Sequence, residues 1–285
     1  MAMGVFENDK FISAPVQLYE INRSDLPADY LKKVKNGDIL KINNRYFGKT
    51  RIVYVGVDIN EFDNVDVDGT RTYLADFYLW FRYEGEELNF ENVQFDNVTS
   101  ELILDTPLEE YKLGDTHYVL FKIRDTFRNS FNLSDYPFDR QLLHIKLRHS
   151  VLERKEVIFV TDLLGIGDIS KDAIIATLKE ARSFDTVNDW LPTTGYFFTD
   201  TVRDYGTRGK PSQFDEKSAI QHSRFNVAIE IQRDYIRFVS KTMLPIFAIL
   251  ILSYLALFLP NREFETITSI MTGTVLSVIF FHVDL

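Results

Sequence analysis

Thr72-Tyr73-Leu74-Ala75-Asp76-Phe77-Tyr78-Leu79-Trp80-Phe81-Arg82-Tyr83 changes character at every step. Tyr73, Ala75, Phe77, Leu79, Phe81 and Tyr83 fall on one side of an extended chain, and Leu74, Asp76, Tyr78, Trp80 and Arg82 on the other. A period of two with one apolar side predicts a half-buried β-strand. Runs with the same habit occupy Ile52–Ile59, His117–Arg124, Gln141–Arg148, Glu156–Val160, Gly195–Arg203 and Arg224–Arg233. In the last, Phe225, Val227, Ile229 and Ile231 face in, and Asn226, Ala228, Glu230 and Gln232 face out. Short strands parted by turn signals, without interleaved long helices, predict an antiparallel, immunoglobulin-like sandwich. One helix interrupts it: Ser170 caps a stretch through Arg182, with Ile174, Leu178 and Ala181 on one side.

Upstream, residues 1–50 read as an N-terminal extension. Ser24-Asp25-Leu26-Pro27 opens a short helix that Gly37 closes, and Ile39–Ile42 and Arg45–Phe47 form a hairpin about Asn43-Asn44. Met1-Ala2-Met3-Gly4 has neither a basic start nor an apolar run, so no secretory signal opens the chain; it looks like an added leader, and the expectation is that a natural leader or a preceding domain stands before it. The sandwich is assigned to residues 51–236, outside the membrane.

Downstream, Thr242 to Pro260 gives 19 residues without a charge. As one helix these would reach about 28 Å, close to a hydrocarbon thickness. A first membrane helix is expected over about 237–259, and Pro245 within it is tolerable where neighbouring helices satisfy the freed carbonyl. A second uncharged run, Thr266–Phe281, carries six hydroxyls, so one side of a helix over about 263–285 should meet water or other helices. Glu265, Thr268, Thr272, Val275, Ile279 and His282 share one face, acidic then hydroxyl then aliphatic. Copies around an axis would make that stripe a pore lining with a carboxylate ring at one mouth. Ser269, Gly273, Leu276 and Phe280 form an alternative stripe, and acids at a helix start also serve its dipole.

The net charge of −10 excludes nucleic-acid binding and suits a surface that draws cations. The absence of cysteine removes disulfides, thiolate metal sites and thiol catalysis. No nucleophile-and-base pair, phosphate loop or metal spacing indicates an enzyme.

Tyr136-Pro137-Phe138-Asp139-Arg140-Gln141, within Phe127–Leu147, resembles the signature loop of the pentameric ligand-gated ion channels, the Cys-loop receptor family. Leu143 and a residue near Asn129 stand where animal members carry cysteines, so the resemblance is to a cysteine-free prokaryotic member. Thr72–Tyr83 is similar to the family's second strand. Arg233 precedes Pro245 by 12 residues, like the family's arginine before its first membrane helix, and Pro245, Pro260 and Glu265 follow its spacing for cation-selective members. The resemblance covers roughly 51–285. It implies a homopentamer in a lipid bilayer, in a bacterial inner (cell) membrane with the β domain on the periplasmic or extracellular side, passing cations when an unidentified small-molecule or ion agonist binds. The family has four membrane helices, and this chain stops near the end of the second.

The resemblance also implies roles. Arg233 lies in phase with the inward residues of its strand, and Asp139 is the carboxylate the family supplies for it, with Asp66 or Asp68 as a second; this cluster would couple sandwich to pore. The agonist site lies between subunits and is aromatic, which points to Tyr78, Trp80, Phe90, Phe95, Tyr205 and Phe214, where ring faces hold an ammonium for about 0.5–2 kcal/mol each; ordinary packing is the competing role for each. Asn64-Val65-Asp66-Val67-Asp68-Gly69 resembles the start of a calcium loop, with Asn64, Asp66 and Asp68 as candidate ligands for a modulatory Ca2+, but Ala75 stands where the twelfth-position acid belongs. The five histidines leave proton sensitivity open. The rival function is an anchored β-sandwich binding or adhesion module without a pore.

Overall fold

A computed structural model describes residues 5–7, 10–13, 18–23, 26–187, 189–204, 220–260, 262 and 264–283. The chain divides into two compact units. The first comprises Met1–Phe131, Gln141–Val187 and Pro192–Ile231, and the second Asn132–Arg140, Asn188–Leu191 and Gln232–Leu285.

The first unit is built on two sheets. One holds β12 (Val157–Thr161), β6 (Arg51–Asp66), β7 (Thr72–Glu84), β10 (Thr116–Arg128) and β9 (Glu109–Leu113), in that order. The other holds β13 (Trp190–Asp204), β14 (Ile220–Arg233), β11 (Arg140–His149) and β8 (Val93–Phe95). β7 buries the alternate residues from Tyr73 to Tyr83, and Asp76 on its other side is buried as well. Phe62, Tyr73, Phe77, Phe81, Phe127, Phe159 and Phe225 are all under 2% exposed and fill the space between the layers. Each ring so buried contributes roughly 1.5–3 kcal/mol of transfer free energy. Phe77 of one sheet meets Phe95 of the other at 6.3 Å between ring centres, and the Tyr73 hydroxyl donates to the His144 carbonyl on the facing sheet.

The sheet is not wholly antiparallel, because β12 runs parallel to β6, pairing Val157 with Arg51 through Thr161 with Val55. Beyond that pairing, α3 (Lys171–Glu180) takes over. Its cap Ser170 accepts the Ala173 N–H at 3.4 Å, and Ile174 and Leu178 are buried. The turn that follows pins β6: the Phe62 N–H donates to Ser183 O at 2.8 Å, and the Ser183 hydroxyl donates to Ile59 O at 3.0 Å. On β14 both faces are covered, since Ser223, Asn226 and Ala228 are each no more than 2% exposed. Asn226 donates to Asp200 of β13 at 2.9 Å, a partner that alternation cannot disclose.

Ahead of these sheets come the β1–β2 pair (Val5–Glu7, Lys10–Ser13), α1 (Tyr30–Asn36) and the sheet β3-β5-β4 (Leu18–Ile21, Arg45–Lys49, Ile39–Ile42). Gly37 takes φ +82 to end α1, and Asn43 and Asn44, at φ 49 and 63, turn β4 into β5. Ser24 and Asp25 lie outside the described residues. A four-residue α2 (Leu163–Ile166) follows β12.

The second unit corrects the expected architecture. The helix expected over about 237–259 does not form as one element. It breaks into α4 (Tyr235–Phe238), a π-helical turn (Val239–Met243) and α5 (Leu244–Ala256), because Pro245 sits in the first turn of α5 and begins a new helix there. The 13 residues of α5 reach about 20 Å, short of a hydrocarbon core of about 30 Å. The 20 residues of α6 (Phe264–Val283) are interrupted by Glu265 and by hydroxyls on every turn of their first half. Among the described residues no helix is long and apolar enough to cross a membrane. The expected transmembrane segments therefore do not stand, and neither does the multi-pass placement in a bacterial inner membrane that rested on them.

Candidate functional site

The strongest constellation lies inside the second unit, where three segments far apart in sequence meet. Arg233 is the last residue of β14, two before α4 begins. Its Nε donates to Asp139 Oδ1 at 2.8 Å and Nη2 approaches Oδ2 at 3.5 Å. The Arg233 N–H also donates to Asp139 O at 3.3 Å. Side-chain exposure is 12% for Arg233 and 1% for Asp139, so this is a buried pair. The guanidinium lies 4.4 Å from the centre of the Trp190 ring and 4.9 Å from that of Tyr136. Two ring faces and one carboxylate thus replace the water a buried cation has lost. Beside them Phe138 and Tyr235 stand 5.9 Å apart. Asp234 extends the node: its N–H donates to Asp189 O at 2.8 Å, and its side chain caps α4 by accepting the Arg237 N–H at 3.2 Å.

Asp66 is used elsewhere. Its oxygens accept the N–H groups of Gly69 and Thr70 and the Thr70 hydroxyl at 2.7–2.8 Å, closing its own turn. Those bonds, with the Thr70 N–H foremost, hold its carboxyl below the usual range. Asp68 and Asn64 are exposed. Among the described residues no three acids or histidines approach closely enough to hold a metal ion.

The aromatic candidates separate. Phe90 and Phe95 are 9% and 6% exposed and pack in the core, Phe90 at 4.8 Å from Phe81 and Phe95 at 5.9 Å from Phe127. The Trp80 indole donates to Asp162 at 3.1 Å and lies over Gly56. Asp162 is also bridged by Arg82 at 2.6 Å. Burial pushes its carboxyl up, but the hydrogen bonds from Arg82 and Trp80 outweigh this and leave it lowered. Tyr78 is half-buried with the Lys122 ammonium 5.4 Å from its ring centre. Tyr205 and Phe214 lie outside the described residues.

On α6, Ile267, Ile270 and Thr274 are partly covered, and Thr274 accepts a hydrogen bond from Ser253 of α5 at 3.0 Å. That leaves Glu265, Thr268, Thr272 and Val275 exposed. A shallow groove runs along Glu265, Thr268 and Thr272 but also along Ser269, Gly273 and Leu276, so both candidate stripes border it. The side chains of Ile279 and His282 lie outside the described residues.

Trp190 and Asp162 had no signal in the sequence, and Tyr136 stood there only as part of the signature loop, not as a partner of Arg233. Their partners are 43, 80 or more, and 97 positions away, and no periodic pattern links them.

No family model matches the sequence. Over 201 residues the chain is 21% identical to a proton-gated ion channel of Gloeobacter violaceus, an alignment covering 70% of this chain. The chain spans about half, 49%, of that protein's length.

Proposed function

We propose that this chain acts as a subunit of a pentameric ligand-gated, cation-selective ion channel, with the sandwich as the sensing part. The similarity to a proton-gated channel supports the class. The observation that carries the reading is the Arg233–Asp139 pair at the point where β14 hands the chain to α4.

The loop Asn132–Arg140 and the segment Asn188–Leu191 cluster with the helices, although the strands they lead into belong to the sandwich. A ligand that binds one arrangement of those strands more tightly than another would shift the equilibrium between the two. The shift would reach α4 and α5 through covalent continuity at Arg233. A ring of α6 helices would present Glu265 as a carboxylate girdle attractive to cations, with Thr268, Thr272 and Val275 following along the axis.

The competing reading is a binding module without a pore. It is favoured by the finding that no described helix is long and apolar enough to cross a membrane. Current recording on purified protein added to planar lipid bilayers, stepped from neutral to acidic pH and then challenged with calcium and small amines, separates the two. The channel reading expects stimulated, cation-selective unitary currents, and Glu265→Gln reduces that selectivity. Arg233→Gln leaves the oligomer intact and weakens stimulation. Silence from intact oligomers under every stimulus would leave the binding module standing.

A further inference from the structure

The turn Ser150–Arg154 carries the chain from β11 in one sheet to β12 in the other, and two buried histidines grip it. His149 Nδ1 accepts the Val151 N–H at 3.2 Å and the Leu152 N–H at 2.9 Å. A nitrogen that receives two N–H groups carries no proton, so His149 is neutral with its hydrogen on Nε2. The ring also hydrogen-bonds the backbone of Asn89. From β14, His222 Nδ1 meets the Leu152 carbonyl at 3.0 Å. The Leu152 residue is thus held by its N–H on one side and its C=O on the other. His149 and His222 are 2% and 1% exposed. The turn is also fastened outside the histidines: the Ser150 N–H and hydroxyl both donate to Asn92 O at 2.8 and 2.9 Å, the Glu153 N–H donates to the Glu156 carboxylate at 2.8 Å, and the Arg154 N–H donates to Gln221 O at 2.6 Å.

The titratable groups facing His149 oppose a charge on it, although the bond to the Asn89 backbone favours one. They are His222 from β14 and Arg51 from β6. Asp204 of β13 is 3.8 Å from the far side of the His222 ring, at Nε2, and screens His222 rather than His149.

We propose that His149 is the acid-released catch of a clasp on the Ser150–Arg154 turn, with His222 holding the Leu152 carbonyl from the other side. A proton on His149 Nδ1 turns an acceptor into a donor aimed at two donors, so both the Val151 and Leu152 bonds must break. The Val151-Leu152 segment then comes free, while the fastenings at Ser150, Glu153 and Arg154 hold the ends of the turn and the core around Phe77 stays packed. This holds whether or not the chain conducts ions.

Burial first, then His222 and Arg51, push the His149 imidazole from 6.5 down to about 4. A histidine lowered in the closed form and ordinary in the open form favours the closed turn fully above 6.5. That advantage declines as pH falls towards about 4 and is spent below it. The population ratio of closed to open turn changes over that window by on the order of 100-fold.

The test is amide exchange by NMR on the whole chain, with protection factors corrected for intrinsic exchange at each pH. Val151 and Leu152 should lose protection by a factor approaching 100 between neutral pH and about pH 4, while the amides of β7 keep theirs. His149→Asn retains an acceptor near the Nδ1 position and does not titrate, so its profile should stay flat. Ring 15N shifts in the unaltered protein give a second measurement that does not depend on the variant folding: Nδ1 should be unprotonated at neutral pH and gain its proton as the turn opens. Constant protection down to about pH 4, equal loss in His149→Asn, global unfolding before the turn opens, or an Nδ1–H tautomer at neutral pH would each overturn the clasp.

Discussion

Replacing Arg233 by Met keeps the apolar stem between Trp190 and Tyr136 but removes the charge 2.8 Å from Asp139. The carboxylate, 1% exposed, then sits in a cavity shaped for a cation. Removing one partner of a buried pair costs about 3–5 kcal/mol. The two ring contacts contribute about 0.5–1 kcal/mol each through the cation. The low end of the first range applies, because the Arg233 N–H still donates to Asp139 O and Asp139 has further interactions. The expected loss for Arg233→Met is therefore about 4–5 kcal/mol. Asp139→Leu alone should cost a similar amount, since it strands a guanidinium. The double variant removes both charges and should recover about 2 kcal/mol or more of the summed losses. Urea denaturation followed by circular dichroism gives the four stabilities, and Trp190 fluorescence reports on the second unit directly. Single losses under about 1 kcal/mol, or strictly additive losses, would refute the claim that this pair is desolvated and mutually dependent.

Gly56→Ala drives a methyl into the ring of Trp80, its direct partner across the β6–β7 pair, and the indole is held in place by its bond to Asp162. A destabilisation of about 1–3 kcal/mol with altered Trp80 fluorescence is expected in thermal or urea unfolding. Asp162→Asn removes the charge and one of the two oxygens that accept from Arg82 and Trp80. Because the Asp162 carboxyl is lowered in the folded chain, its stabilisation is present above the ordinary carboxylate range and fades as pH falls through it. The variant should be less stable by about 1–3 kcal/mol at neutral pH, and the difference should shrink in urea melts below about pH 4. Ser183→Ala leaves the Ile59 carbonyl without its buried donor and should cost about 1–2 kcal/mol, measured the same way.

The faces of β7 were legible because alternation reports one local fact: which side of a strand is dry. Ser170 and Gly37 were legible for the same reason, since a cap and a left-handed stop act on their own neighbours. β14 shows where such reading fails. Its polar side is buried by Asp200 and by the Leu152 carbonyl, and a pattern within one strand carries no record of what another segment brings to it. Phe90 and Phe95 failed likewise, for an aromatic ring reads alike whether it awaits a ligand or fills a core. The stretch from Thr242 to Pro260 carries no charge, but absence of charge is not continuity of helix. Composition measures how apolar a run is, whereas the π-helical turn and Pro245 determine how long its helix can be.

The parallel seating of β12 on β6 has a consequence for how the chain emerges from the ribosome. Residues 51–55 wait for partners that are synthesised more than 100 positions later. At about 5–20 residues per second, that edge stays open for roughly 5–20 s in every nascent chain. During that interval a row of unsatisfied N–H and C=O groups is available to any other extended segment. Chains made in close succession on one message would thus be most prone to mispair there, and slowing initiation rather than elongation should raise the yield of correctly folded protein.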